Sequence, residues 1–312
     1  MVATLRSRPS VKQQRDPKKM IQDFKRTAEF IRTHPIGGRT HRSCWKRWLQ
    51  WQLGSRLLPY PVALPWIADA CLMTEKGMTG ATGNWYCGLH EFADMALLLH
   101  FFGGPGEGEG SFLDIGANVG SYTVLASKVC GARSLAFEPV RETFKRLIRN
   151  VKINKIESIV EARQLAVGGK SGTIRFTADQ DTTNQVADQS YQGSVFEVGV
   201  VALDEVLKSK ARLPSFWKID VEGFKLAVLK GAASSLRNKD VQVVLLEGGD
   251  EEIDSSMRSY GFKSAEYDVF ARSLTPSGAE GPSNNNLWVR ALERVQSRCR
   301  AAREFDIFGV RI

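Results

Sequence analysis

A chain of 312 residues that is 43% hydrophobic can bury one large core or two modest ones, and its composition excludes a fibrous or disordered polypeptide. No apolar run approaches the roughly 18 residues needed to cross a bilayer, and the first residues, MVATLRSRPSVKQQRDPKK, lack a secretion signal's apolar stretch, which predicts a cytoplasmic protein. Five widely spaced cysteines without a C-x-x-C pair read as reduced thiols rather than as a disulfide framework or a zinc site.

The net charge of +9 is concentrated at one end. Residues 1–60 hold 14 Lys or Arg against three acids, a balance of +11, which leaves the other 252 residues at −2. The basic character therefore says little about what the main domain binds. Asp16-Pro17 opens a helix with Met20, Phe24, Ala28 and Ile31 on one face, and His34-Pro35-Ile36-Gly37-Gly38 is expected to stop it. CWKRWLQWQLGSRLLP forms a second helix, its stripe of Trp45, Trp48, Leu49 and Leu53 expected to pack as a cap on the main domain. Tryptophan beside arginine also suits a membrane surface, so peripheral attachment at the inner membrane surface is the alternative.

From about residue 90 the pattern alternates. SFLDIG, RSLAFEP, VEARQLAVGG, FWKIDVEG and VQVVLLEGG read as strands, separated by helices VGSYTVLASKV, VRETFKRLIRNVKIN and KLAVLKGAASSLRN. An α/β fold follows, with a mostly parallel sheet and helices on both faces. Extra strands and a polar loop are expected between the third and fourth strands. The expected organisation is a basic helical extension at 1–80, the sheet domain at 81–290 and a helical tail at 291–312, with Leu292, Val295 and Cys299 on one face.

In open parallel sheets the first strand-to-helix turn is the usual cofactor cradle. Here Leu113-Asp114-Ile115-Gly116-Ala117-Asn118-Val119-Gly120 supplies glycines for close approach and an asparagine that tolerates left-handed backbone. Asp114 would repel a dinucleotide's pyrophosphate at the helix start but attract the sulfonium and ammonium of S-adenosylmethionine, unless it only caps the helix. Glu138 closes the second strand 22 residues beyond Gly116, near the roughly 20-residue offset of a ribose-binding carboxylate. Ala166 and Val167 would offer apolar and backbone contacts to an adenine ring.

FLDIGANVGSYT, LAFEP, KIDVEG with VLKGA, and the upstream WYCGLHEF together resemble the FkbM-type methyltransferases, from about Trp85 to Arg290. The resemblance implies a Rossmann-like class I methyltransferase fold and transfer of a methyl group from S-adenosylmethionine to a hydroxyl of a sugar, glycolipid, polyketide or similar small molecule. It assigns Asp114, Gly116, Asn118 and Gly120 to the methionine portion, with Tyr122 and Thr123 beside it. Glu138 goes to the ribose, with the adjoining Pro139 also among the cofactor-binding residues, Ala166 and Val167 to the adenine edge, Asp220 to the far side of the methyl group, and Glu91 near the cofactor. Lys225 stands where the family usually has an acid, and Asn184-Gln185 where it commonly has asparagine-histidine.

Methyl transfer from a sulfonium is an in-line displacement that needs a positioned oxygen and a proton acceptor. Asp220 and Glu222, at the end of the fourth strand, and Glu247, at the end of the fifth, are the candidate bases, with Asp220 preferred. His90 is a further candidate, and His100 lies within reach. No metal is expected, although a divalent ion bridging Asp220 and Glu247 is an alternative. The rival readings are a nucleic-acid methyltransferase, disfavoured by the missing Asn/Asp-Pro-Pro-Tyr motif, and a non-catalytic module docked on a membrane or protein partner. Neither the acceptor nor the oligomeric state is legible.

Overall fold

Short apolar strands and amphipathic helices alternate through the middle of the chain, and the computed structural model, which describes residues 17–75, 77–104, 110–177, 195–221, 223–277 and 285–312, gathers them around one large sheet. Helices α1 (Pro17–Thr33), α2 (Pro35–Arg39) and α3 (His41–Leu57) precede a hairpin of β1 (Val62–Pro65) and β2 (Cys71–Thr74). Helices α4 (Thr79–Cys87) and α5 (Phe92–Phe102) lead to β3 (Ser111–Ile115) and α6 (Ser121–Val124), which runs on as a π-helical turn, Leu125–Val129. Next come β4 (Arg133–Phe137), α7 (Arg141–Ile153), β5 (Val160–Arg163), β6 (Ala166–Val167), β7 (Gly172–Thr177), β8 (Val195–Val201) and α8 (Leu203–Leu207). β9 (Phe216–Ile219), α9 (Lys225–Gly231), α10 (Ala233–Arg237), β10 (Val243–Glu247) and α11 (Glu251–Ser259) complete the alternation. The chain ends with β11 (Lys263–Asp268), β12 (Ser273–Pro276), β13 (Asn285–Val289), α12 (Leu292–Arg300) and the short hairpin of β14 (Asp306–Ile307) and β15 (Val310–Arg311).

The main sheet has the order β12-β11-β13-β10-β9-β3-β4-β5. β10, β9, β3, β4 and β5 are parallel neighbours, and β13 runs antiparallel between β10 and β11. Strand alternation divides the core. Phe112, Phe216, Val243 and Leu245 pack with Phe101 and Phe102 of α5 and Leu147 of α7, while Leu113, Ile115, Trp217, Ile219 and Leu246 pack with residues of α8 to α11. Each fully buried side chain of this size contributes about 1.5–3 kcal/mol. The order reverses at β3, whose neighbours β4 and β9 are reached in opposite directions, and this opens a cleft beyond the carboxyl ends of the strands.

Three local expectations give way to structure. The segment VEARQLAVGG is not one strand. Val160–Arg163 edges the main sheet, whereas Ala166 and Val167 pair with Val200 and Val201 in a separate sheet of order β6-β8-β7, because the antiparallel pair of β7 and β8 offers them a second set of partners. The stretch HPIGG does not simply end α1. His34 Nδ1 accepts from the N–H groups of Ile36 (3.1 Å) and Gly37 (3.4 Å), capping α2, and its Nε2–H donates to the Leu89 carbonyl at 2.5 Å. Burial pushes the His34 imidazole down to about 4, which keeps it neutral in this role. Third, α3 buries Cys44, Trp51 and Ser55 rather than its predicted stripe, and Leu49 and Leu53 are 52% and 53% exposed. Its rotation is fixed by α4, where Arg47 donates to the Tyr86 carbonyl (2.7 and 2.9 Å) and Trp85 Nε1 donates to the Arg47 carbonyl (3.1 Å).

The hairpin of β1 and β2 is tied to α7 by side-chain amides. The N–H groups of Met73 and Cys71 donate to Asn150 Oδ1 (2.7 Å) and Asn154 Oδ1 (2.8 Å). At the other end, α12 buries Val295 and Cys299, and Arg298 Nε donates to the Phe101 carbonyl at 2.5 Å. Among the described residues no helix is long and apolar enough to cross a membrane.

Candidate active site

The turn after β3 passes through left-handed backbone at Gly116 (φ 75°), Asn118 (φ 51°) and Gly120 (φ 86°). At Gly116 only glycine fits, since an added Cβ would lie 1.9 Å from the Asp220 carbonyl oxygen. The amides of this turn point back into the protein. Gly116 and Ala117 donate to the Phe137 carbonyl (3.0 and 2.9 Å), Gly120 to the Ala117 carbonyl (2.8 Å), and Asn118 to Glu138 Oε2 (3.0 Å). A phosphate-binding loop needs such amides turned outward, and these four are already committed.

Asp114 is 1% exposed at the end of β3. Its Oδ2 accepts from Thr123 Oγ1 at 2.6 Å, and its Oδ1 is buried with no partner. In the parallel register Asp114 lies directly opposite Lys218 of β9, so both side chains stand on the same face of the sheet. Lys218 Nζ donates to Asp220 Oδ2 at 2.5 Å and lies 4.9 Å from the centre of the Tyr122 ring. Burial works against the charge on Lys218, but Asp220, Glu91 and Asp114 outweigh it and hold the ammonium above the ordinary lysine range. Burial pushes the Asp114 carboxyl up to about 6, opposed by Lys218 and Thr123. Burial also raises Glu138 to about 7, against the amides of Val140 and Asn118 that it accepts. For Asp220 burial is outweighed by Lys218, a hydrogen bond with Glu247 and Lys225, and its carboxyl falls below the usual range.

A cavity of about 210 Å³ opens over this cluster, walled by Met78, Ala81 and Asn84 from the α4 region, by His90, Glu91 and Met95 around the start of α5, and by the turn 116–119 with Tyr122, Lys218 and Asp220. The Tyr122 hydroxyl donates to Glu91 Oε2, and burial beside Glu91 keeps that phenol protonated. Asn84 holds the rim by accepting from the His90 N–H (2.7 Å) and donating to Ser121 Oγ (3.2 Å). The His90 ring faces Phe30 of α1 at 5.1 Å, and its Nδ1 is buried without a partner. Burial lowers the basicity of His90.

Of the residues singled out in the sequence, Glu91, Gly116, Asn118, Tyr122, His90 and Asp220 line this cavity. Asp114, Thr123 and Glu138 form the layer behind it, buried at 1%, 0% and 6% exposure, and Gly120 starts α6 against Leu147. Glu247 reaches Asp220 from the next strand. Pro139, Ala166 and Val167 do not line the cavity, and His100 lies elsewhere, with Nδ1 2.7 Å from the Tyr267 hydroxyl. Glu222, Asn184 and Gln185 fall outside the described residues. The sequence reading missed Lys218 and Asn84. Lys218 was detectable as the one charge within the apolar strand FWKI, and Asn84 carried no such signal. Lys225 acts on the site as well, its ammonium helping to hold Asp220 ionised.

The residues present fit a cationic nucleoside cofactor. Three acids, Glu91, Asp114 and Asp220, face one buried ammonium, with Glu138 behind them, and Asp114 keeps an acceptor open. Asp114, Glu91 and Tyr122 would hold its methionine end and Glu138 its ribose.

Comparison with known proteins agrees with this geometry. Residues 114–264 match the family model described as the methyltransferase FkbM domain. The hexuronic acid methyltransferase AglP of Haloferax volcanii is 30% identical over 142 residues, covering 45% of this chain and 57% of that protein. Methyltransferase sdnD of Sordaria araneosa is 26% identical over 187 residues, covering 48% and 72%. The chain thus spans little more than half the length of the first of these relatives. A solved methyltransferase FkbM from Methylobacillus flagellatus aligns at 16% identity with a TM-score of 0.39, over 58% of this chain and 43% of that one. Over residues 114–264, just under half of its length, the chain is thus similar to the methyltransferase FkbM domain family.

Proposed function

We propose that this chain is an S-adenosylmethionine-dependent O-methyltransferase that methylates a hydroxyl of a sugar, glycan or similar small molecule. The observation that carries the reading is the turn after β3, whose amides are committed inward while the buried Asp114 keeps one oxygen open for a donor. That combination favours a positively charged ligand over a pyrophosphate. The match to the FkbM domain supports the reaction class, and a relative named for hexuronic acid supports a sugar acceptor.

The cofactor supplies an electrophilic methyl carbon on a sulfonium. An acceptor hydroxyl that takes this methyl group would have to give up its proton. Asp220, ionised and about a third exposed at the cavity edge, orients the hydroxyl and receives the proton. Lys218 and Glu247 fix its carboxylate through hydrogen bonds. A metal bridge between Asp220 and Glu247 is disfavoured by the Lys218 ammonium at 2.5 Å.

Calorimetric titration tests the cofactor. The chain binds S-adenosylmethionine and not NAD, and Asp114→Ala weakens binding by about a hundredfold or more while unfolding stays cooperative. Asp220→Asn, preferred to alanine because alanine would strand the Lys218 ammonium, keeps binding but cuts transfer of labelled methyl to sugar acceptors about a hundredfold. Binding of NAD alone, or full transfer by the Asp220 variant, refutes the corresponding assignment.

A further inference from the structure

Of the nine large hydrophobic side chains exposed among the described residues, seven lie between positions 21 and 60: Ile21, Phe24, Leu49, Leu53, Leu57, Leu58 and Tyr60. The exposures are large, 83% for Leu57 and about half for the other leucines. Scattered exposed leucines need no explanation, but such a concentration marks a contact surface. Along α3 the exposed positions Arg42, Lys46, Leu49, Leu53, Arg56 and Leu57 fall within an arc of about 100° at 3.6 residues per turn. Cations and leucines alternate along this one face.

The partner must accept both characters at once. Ten Lys or Arg stand against two acids over residues 17–60, and the preceding sixteen residues add four more basic side chains and one acid. None of Arg42, Lys46 and Arg56 is paired with an acid among the described residues. The border of the face is aromatic, with Phe24 of α1 set against Trp45 at 5.7 Å and Trp48 at 5.5 Å. Amphipathic rings suit the level of lipid headgroups, where one edge is wet and the other apolar. A second copy of this chain would bring the same positive face and repel it.

We propose that the outer face of α3, bordered by Phe24, Trp45 and Trp48, docks on an anionic phospholipid surface, with the leucines entering the headgroup–acyl boundary and the basic side chains meeting lipid phosphates. Fixed by His34 to Leu89 and by Arg47 to Tyr86, the docked helices stand on the element that walls the cavity.

Sedimentation of the full chain with vesicles tests this. It binds vesicles of phosphatidylcholine with about one third phosphatidylglycerol, does not bind phosphatidylcholine alone, and is released as salt shortens the screening length. Leu53→Glu with Leu57→Glu, and separately Arg42→Glu with Lys46→Glu, each weaken partitioning about tenfold or more, while circular dichroism is unchanged because these side chains are exposed. No binding of the wild-type chain, equal binding to neutral vesicles, or unchanged binding by the leucine variant overturns the proposal. So does a leucine-dependent homodimer that ignores vesicles, which would assign the face to a second copy.

Discussion

Asp114 can be buried because Lys218 stands opposite it in the next strand, close enough to offset part of the charge but bonded to Asp220 instead. Removing one member of such a group costs about 3–5 kcal/mol because its partners stay buried. Lys218→Met should therefore lower stability to denaturant by that amount and raise the apparent pKa of Asp220, which NMR titration would read. A stability equal to the wild type would show that the ammonium contributes nothing to the fold. Asp114, at about 6, and Glu138, at about 7, set the pH dependence. Both carboxyls hold protons more tightly folded than unfolded, so the ligand-free chain should lose stability as pH rises from about 4 to 7 and level off above. Asp220 acts oppositely: its carboxyl is held below the ordinary carboxylate range, so its contribution is present through neutral pH and is lost only as pH falls below that range. Cofactor affinity should follow the other sign, since a cation needs Asp114 ionised, and weaken about tenfold between pH 7 and pH 5 by calorimetry. A flat affinity over that range would remove Asp114 from the binding step.

At the scale of elements, the turn between β3 and α6 concentrates the constraints. Gly116→Ala meets both a positive φ and a carbonyl oxygen 1.9 Å from the new methyl. It should cost about 2 kcal/mol or more and abolish cofactor binding by displacing the end of β9. An alanine variant that binds normally would mean that the two strand ends are not held in register by this contact. This turn was legible in the letters because glycine and asparagine answer a local backbone demand. So were most parallel strands, whose apolar runs are short and bounded. The break between Arg163 and Ala166 was not, because it depends on β8, some thirty residues away, offering hydrogen bonds that a continuous strand would forgo. Nor was the rotation of α3, where periodicity gives a stripe of Trp45, Trp48, Leu49 and Leu53 but Arg47 and Trp85 decide which side meets α4. Lys218 shows in the sequence only as one charge in an apolar strand, because its role comes from the acids that the fold brings around it.

Across the whole molecule, the groups that would hold ligand are the same groups that join the layers. β3 and β9 contribute Asp114 and Lys218, the residue after β4 is Glu138, and α4 and α5 close the cavity while α1 and α3 brace α4. Ligand bound to the native state alone should raise the unfolding temperature with concentration, by about 2.7 kcal/mol of stability at a hundred times the dissociation constant. A rise confined to one of two separate thermal transitions would show that the helical cap unfolds on its own. The inward amides of the turn carry a last consequence. A cradle whose N–H groups at 116, 117, 118 and 120 already have acceptors keeps its shape when empty. Those four amides should exchange with deuterated solvent as slowly in the free protein as in the complex, while the Tyr122 and Glu91 side chains around them rearrange.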